Sequence, residues 1–155
     1  MQTEYVLIVK LLRGFASGLI LALMPLLASA TDFRSIAAPK AVLFDAPSAQ
    51  AKKLFLLWQG YPVEVIVNLG DWVKVRDQQG SLSWVEAKNL SPARTLIVVQ
   101  EPAAMHQAPD SGSAVLSQLQ KDVVLEFVEV AGGWVKVRHR DGLVGFVQTA
   151  VVWGL

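Results

Sequence analysis

The sequence predicts an all-β protein: two small antiparallel barrels of five to six strands each, in tandem, behind a cleavable N-terminal signal helix. Three observations carry that expectation. Apolar and polar residues alternate in short runs, a block of about 60 residues is written twice, and glycines punctuate the runs at matching intervals in both copies.

The chain has 155 residues, of which 53% are hydrophobic, which excludes a disordered or collagen-like polymer. Lys plus Arg is 14 and Asp plus Glu is 13, and no charge run exceeds the doublet Lys52-Lys53. Binding driven by counterion release needs a basic stripe, so nucleic acid is not an expected partner. Cysteine is absent, which removes disulfides, thiolate zinc sites, cysteine nucleophiles and lipidation of a lipobox cysteine together.

The first element is residues 1–30. Lys10 and Arg13 precede an apolar run over 15–27 that contains Pro25, and Ala28-Ser29-Ala30 follows. A cationic start, a short apolar middle and small residues at the end describe a secretory signal, with cleavage expected after Ala30 and a periplasmic or secreted destination. Membrane contact is expected only if that signal is retained. Removing Lys10 and Arg13 leaves 12 basic residues, and removing Glu4 leaves 12 acidic ones, so the processed chain is neutral.

The remainder is one unit written twice. Gly70, Trp72, Val73, Lys74, Val75 and Arg76 recur as Gly132, Trp134, Val135, Lys136, Val137 and Arg138, an offset of 62. Fourteen positions are identical between residues 36–93 and 98–155, among them Ala46-Pro47 with Ala108-Pro109, Glu64 with Glu126, and Gly80 with Gly142. Duplication is the simplest account. Residues 54–58, 63–67, 72–76 and 82–85 alternate as strands in the first copy, and 123–130, 134–138 and 143–147 in the second. Gly70, Gly80, Gly132 and Gly142 mark the turns between them. Short antiparallel strands of this number close most easily into a barrel. The boundaries fall at 36–92 and 96–155, with a seam at residues 91–95.

The strings GDWVKVRDQQGSLSWV at 70–85 and GGWVKVRHRDGLVGFV at 132–147 resemble the third and fourth strands of the bacterial Src-homology-3-like (SH3-like) family. DAPSAQAKKL, from Asp45, and QAPDSGSAVL, from Gln107, resemble the loop before that family's second core strand. The resemblance covers nearly all of residues 36–152. It implies a compact all-β module used for binding or targeting in exported bacterial proteins, often beside cell-wall enzymes, and it does not imply catalysis. The chain departs from the family pattern before the loop proline, where Phe44, Asp45 and Ala46 or His106, Gln107 and Ala108 replace the usual arginine and glycine.

Strand periodicity puts Val73 and Val75 inside and turns Trp72, Lys74 and Arg76 outward, with Trp134, Lys136 and Arg138 repeating the set. An indole beside cations can hold an extended peptide by stacking and pair with a carboxylate. Eukaryotic relatives of the family use a tryptophan at the matching place to grip proline-rich segments. They also carry a proline where this chain has Glu86 and Gln148. Phe44 and Asp45 stand where the family's variable loop would face that tryptophan, and are candidates for a groove wall. Trp84 and Phe146 are expected to serve structure.

Trp58, Tyr61 and Trp153 have no aromatic counterpart under the offset and are candidates for packing one unit on the other. The expected function is non-catalytic binding of a peptide, peptidoglycan or envelope-protein segment. The alternative is an assembly protein of the envelope, recruiting a partner strand at the apolar run 95–99. No metal, cofactor or catalytic set is expected: His106 and His139 have no metal-ligand spacing, and no nucleophile elbow or phosphate loop occurs.

Overall fold

A computed structural model describes residues 31–155, so the expected signal at 1–30 lies outside the described residues. The first sheet comprises β1 (Phe33–Ile36), β2 (Lys40–Phe44), β3 (Lys53–Trp58), β4 (Pro62–Asn68), β5 (Trp72–Arg76), β6 (Leu82–Glu86) and β7 (Leu90–Ser91). The second comprises β8 (Thr95–Val98), β9 (Ala103–His106), β10 (Val115–Leu119), β11 (Val124–Ala131), β12 (Trp134–Arg138), β13 (Val144–Gln148) and β14 (Val152–Trp153). One 3-10 turn precedes the last strand of each, at Ala87–Asn89 and Thr149–Val151. The strand orders are β3-β2-β6-β5-β4-β1-β7 and β10-β9-β13-β12-β11-β8-β14, all pairs antiparallel.

The fold is all-β, as expected, but each unit has seven strands rather than five or six, and neither sheet closes. β3 and β7 end the first sheet without pairing to each other, as do β10 and β14 in the second. The extra strands escaped the alternation rule for physical reasons. β7 and β14 are only two residues long, and β8 is buried at all four positions, so it has no polar face to alternate with. The same burial corrects the expectation that the run from Thr95 recruits a partner strand. β8 is held between β11 and β14 and has no free edge.

Each unit carries its own core. Ile36, Ala41, Leu43, Leu57, Val63, Val73, Val75 and Val85 form the first. Leu96, Val98, Ala103, Met105, Leu119, Leu125, Val135, Val137, Val147 and Val152 form the second. Two equivalent positions are filled differently. Leu43 packs in the unit that has Ser83, whereas Met105 packs in the unit that has Gly145. Ser83 is 2% exposed and its hydroxyl has no hydrogen-bond partner. A buried, unpaired hydroxyl costs about 1–3 kcal/mol of desolvation. Ser83→Ala is therefore expected to leave stability unchanged or raise it by about 1 kcal/mol, read from urea denaturation; a loss of that size would show the hydroxyl to be engaged.

Only Pro92, Ala93 and Arg94 separate the sheets. The Arg94 guanidinium lies 4.3 Å from the Phe127 ring and donates to the Gly154 carbonyl at 3.3 Å, which fixes the connector on the second unit. Across the seam, the Thr95 hydroxyl donates to the Gly60 carbonyl at 2.7 Å and Gln78 Nε2 donates to Asp122 Oδ1 at 3.1 Å. Gly60 and Asp122 are equivalent and both left-handed, at φ 83 and 68. Their amides donate to Ile36 and Val98, each at 2.8 Å. Glycine at position 60 avoids the left-handed strain that Asp122 bears at the equivalent place, and a Cβ there would come to 3.4 Å from the Val124 side chain of the second unit.

Candidate functional site

β5 and β12 place their valines as period two demands, with Val73, Val75, Val135 and Val137 all fully buried. Trp72 and Lys74 are half-buried on the opposite face and Arg76 is exposed; Trp134, Lys136 and Arg138 repeat the pattern. Trp72 meets Phe44 edge-on, with ring centroids 5.3 Å apart at 87°. In the second unit His106 takes the place of Phe44 and meets Trp134 at 5.1 Å and 74°. Lys74 Nζ stands 5.9 Å from the Trp84 ring, and Lys136 Nζ stands 5.8 Å from Phe146.

The cations differ in what neutralises them. Arg76 pairs with Glu64 at 3.3 Å and Arg138 with Glu126 at 3.7 Å. Lys136 pairs with Glu129 at 3.3 Å, but the residue opposite Lys74 at the equivalent bulge is Val67. Among the described residues, Lys74 has no carboxylate within ion-pair distance. It is the cation of this face that remains available to a ligand.

Phe44 is 6% exposed, so its ring supports Trp72 from beneath. Asp45 closes its own loop instead of walling a groove: its amide donates to the Lys52 carbonyl at 3.1 Å, and its Oδ1 accepts from the Lys52 amide at 3.0 Å. Aspartate readily binds nearby backbone in this way. A groove of about 510 Å³ does adjoin Trp72, between Pro47 and Gln50 on one side and Asp71, Glu86 and Lys88 on the other. Lys88 is tied to Glu86 at 3.0 Å. The counterparts of Asp71, Glu86 and Lys88 are Gly133, Gln148 and Ala150, so the second unit lacks these three charges, although Asp110 replaces Ser48 there.

The three unmatched aromatics part company. Trp153 crosses the seam and meets Phe33 edge-on at 5.0 Å and 89°. Tyr61 packs against its own unit's core. Burial and the Asp77 carboxylate push its phenol above the usual tyrosine range, so it stays a neutral hydroxyl into alkaline solution. Trp58 is 60% exposed, with Lys40 Nζ 4.6 Å from its ring. Trp58 and Tyr61 instead line a cleft of about 570 Å³ at the junction of the units. A second cleft there, of about 700 Å³, is lined by Asp122, Glu126, Arg138, His139 and Arg140 among others. Neither was foreseen; the one signal in the sequence was that Trp58 and Tyr61 lack counterparts.

Among the described residues no group of three His, Asp or Glu could hold a metal ion, and no helix is long and apolar enough to cross a membrane. His139 Nδ1 lies 2.9 Å from Asp141 Oδ1, where the Leu143 amide also donates and holds the carboxyl below its usual range. That arrangement closes an exposed turn.

Two copies of a small antiparallel sheet, each with an aromatic and basic outer face, define a protein of tandem SH3-like domains. The chain belongs to the bacterial SH3 domain family, whose model matches residues 37–92 and again 99–154. Among solved structures it is similar to NlpC2 of Trichomonas vaginalis, with 11% identity and a TM-score of 0.38, over 81% of this chain and 49% of that one. It is also similar to an NlpC/P60 family protein of Bacillus cereus, with 16% identity and a TM-score of 0.37, over 78% of this chain and 55% of that one. The chain thus spans about half the length of each. No curated protein matches it.

Proposed function

We propose that the protein is an exported, non-catalytic binding module that uses the outer face of its first unit to hold a carboxylate-bearing segment of the cell envelope, either a peptide or the peptide part of peptidoglycan. The observation that carries this reading is Lys74, a cation without a carboxylate partner among the described residues, 5.9 Å from the Trp84 ring and on the same strand face as Trp72, where Arg76, Lys136 and Arg138 are all paired. A ligand carboxylate would complete the ion pair that Glu129 supplies in the other unit, while its chain lies across the indoles. The second unit offers a weaker version of the face. Linkage of two such faces raises effective concentration where one ligand reaches both.

Capture on purified cell wall and from a periplasmic extract tests it. Lys74→Ala is expected to reduce capture about tenfold, the weight of one charge-assisted hydrogen bond, while Lys136→Ala changes it little. Trp72→Ala with Trp134→Ala is expected to abolish capture in a protein whose circular dichroism shows it still folded. Equal capture by wild type and both sets of variants removes this face as the site.

An envelope-assembly role is the second reading, favoured by β3. That strand ends its sheet and exposes Leu54 at 41% and Leu56 at 48%, where β10 has Leu116 and the polar Gln118. Crosslinking through β3 in place of wall capture would support it.

A further inference from the structure

We propose that the cleft at the junction of the two units is a separate ligand site, and that it takes a neutral sugar chain. The cleft encloses about 570 Å³, within the range of small-ligand sites. Its wall on the first unit is built from three aromatics, Phe55, Trp58 and Tyr61, and three amides, Gln59, Gln78 and Gln79.

The chemistry of that wall selects the ligand. No lysine, arginine or histidine lines it, so a phosphate or carboxylate ligand would find no counter-charge. Phe55 and Trp58 are 37% and 60% exposed, and although Lys40 Nζ stands 4.6 Å from the Trp58 ring, both rings present apolar surface beside the three amides. A pyranose ring has the matching form, with an apolar face of C–H bonds edged by hydroxyls that both donate and accept. Flat aromatic surfaces serve the first, and amide and carboxylate groups the second.

The polar groups are held in place beforehand. Gln59 Nε2 donates to the Ala37 carbonyl at 3.1 Å and Gln78 Nε2 donates to Asp122 Oδ1 at 3.1 Å. The Gln59 Oε1 and Asp122 Oδ2 acceptors have no protein donor among the described residues. Asp77 Oδ1 accepts from the Gln79 and Ser81 amides, each at 2.9 Å, so Asp77 and Asp122 are two fixed carboxylates of the lining that accept from sugar hydroxyls and disfavour an anionic ligand. The Tyr61 phenol, kept protonated, adds a hydroxyl.

The duplication supplies an internal control. Under the offset of 62 these six residues correspond to Ser117, Gln120, Lys121, Val123, Arg140 and Asp141. The second unit builds the same strands and turns with no aromatic and with charges in place of the amides. The fold therefore does not require the set, and it occurs where the first unit faces the second. This site shares no residue with the Trp72 and Lys74 face.

Titration of the full-length protein with N,N′-diacetylchitobiose and with cellobiose, followed by tryptophan fluorescence and two-dimensional NMR, tests the inference. Saturable binding is expected, with shifts centred on residues 55–61 and 78–79. Trp58→Ala is expected to weaken it about tenfold, the weight of one stacking aromatic. Gln79→Ala, which leaves every ring in place, weakens it as well. Both positions are on the surface, and an unchanged melting curve verifies the fold. Lys74→Ala leaves sugar binding unchanged, so loss of wall capture in that variant and loss of sugar binding in Trp58→Ala read the two sites separately. The inference is overturned if neither disaccharide saturates, if Trp58→Ala binds as wild type does, or if tetramethylammonium occupies the cleft more tightly than either sugar.

Discussion

Gly145→Ala is expected to destabilise the second unit by about 1–3 kcal/mol, the usual cost of forcing one carbon into a filled core. A Cβ at this position would stand 2.5 Å from Met105 Cγ and 2.7 Å from the His106 carbonyl oxygen. Met105 is fully buried and has little room to swing aside, and the His106 oxygen is backbone. β9 and β13 must therefore move apart at the pair Phe146 with His106, which also shifts the ring on which Trp134 rests. Gly145 is not left-handed, so the cost is contact and not conformation. The first unit shows the remedy, since it accommodates Ser83 at the same place with Leu43 where the second has Met105. Met105→Leu in the Gly145→Ala background is expected to recover part of the loss, giving a coupling of about 0.5–3 kcal/mol in a double-mutant cycle. Urea denaturation of the four proteins measures it. A single variant as stable as wild type, or a double variant that recovers nothing, would show that the two strands adjust independently of Met105.

Alternation made the middle strands legible, and it also named the outer face correctly because one buried valine fixes its neighbours' direction. Two of the strands it left out lack contrast, whereas Lys40–Phe44 and Ala103–His106 alternate in burial but are built largely of apolar residues on both faces. Phe33–Ile36 is buried or half-buried throughout, and Thr95–Val98 has no polar side at all. Which lysine is free could not be read from periodicity, because Lys74 and Lys136 are identical in local sequence. The same bulge in both units sets Val67 opposite one and Glu129 opposite the other, so the difference is a cross-strand neighbour that periodicity within a strand does not report. Asp45 was legible as a loop residue but not as one whose carboxylate its own backbone consumes. The junction cleft depends on how the two units meet, and no periodicity within either unit encodes that. The unmatched aromatics pointed to the region without separating Trp153, which crosses the seam, from Trp58 and Tyr61, which border an opening.

Trp153→Ala is expected to cost about 3 kcal/mol, the lower end for removing a buried aromatic since this one is half-exposed, and to replace one unfolding transition by two. The two cores share no residue, and each unit is near the size below which a domain struggles to stand alone. Whether they unfold together then depends on contacts across the seam. The Gln78 bond to Asp122 is exposed and contributes little, and the Thr95 bond to Gly60 is one neutral hydrogen bond. The ring pair couples the units more strongly than either bond. Phe33, in the first strand of the first unit, is 8% exposed with Trp153 seated against it, and Trp153 is held by its pairing with Ile97 in the second. Removing the indole opens Phe33 to water and leaves the connector to join two domains that are otherwise nearly independent. Phe33→Ala should give the same split transition, and the double variant should cost less than the sum by about 0.5–1.5 kcal/mol, the coupling of an edge-on aromatic pair. Scanning calorimetry distinguishes the outcomes. Strictly additive costs with a single transition in every variant would mean that the units are coupled through the backbone of the connector and that the rings merely lie together.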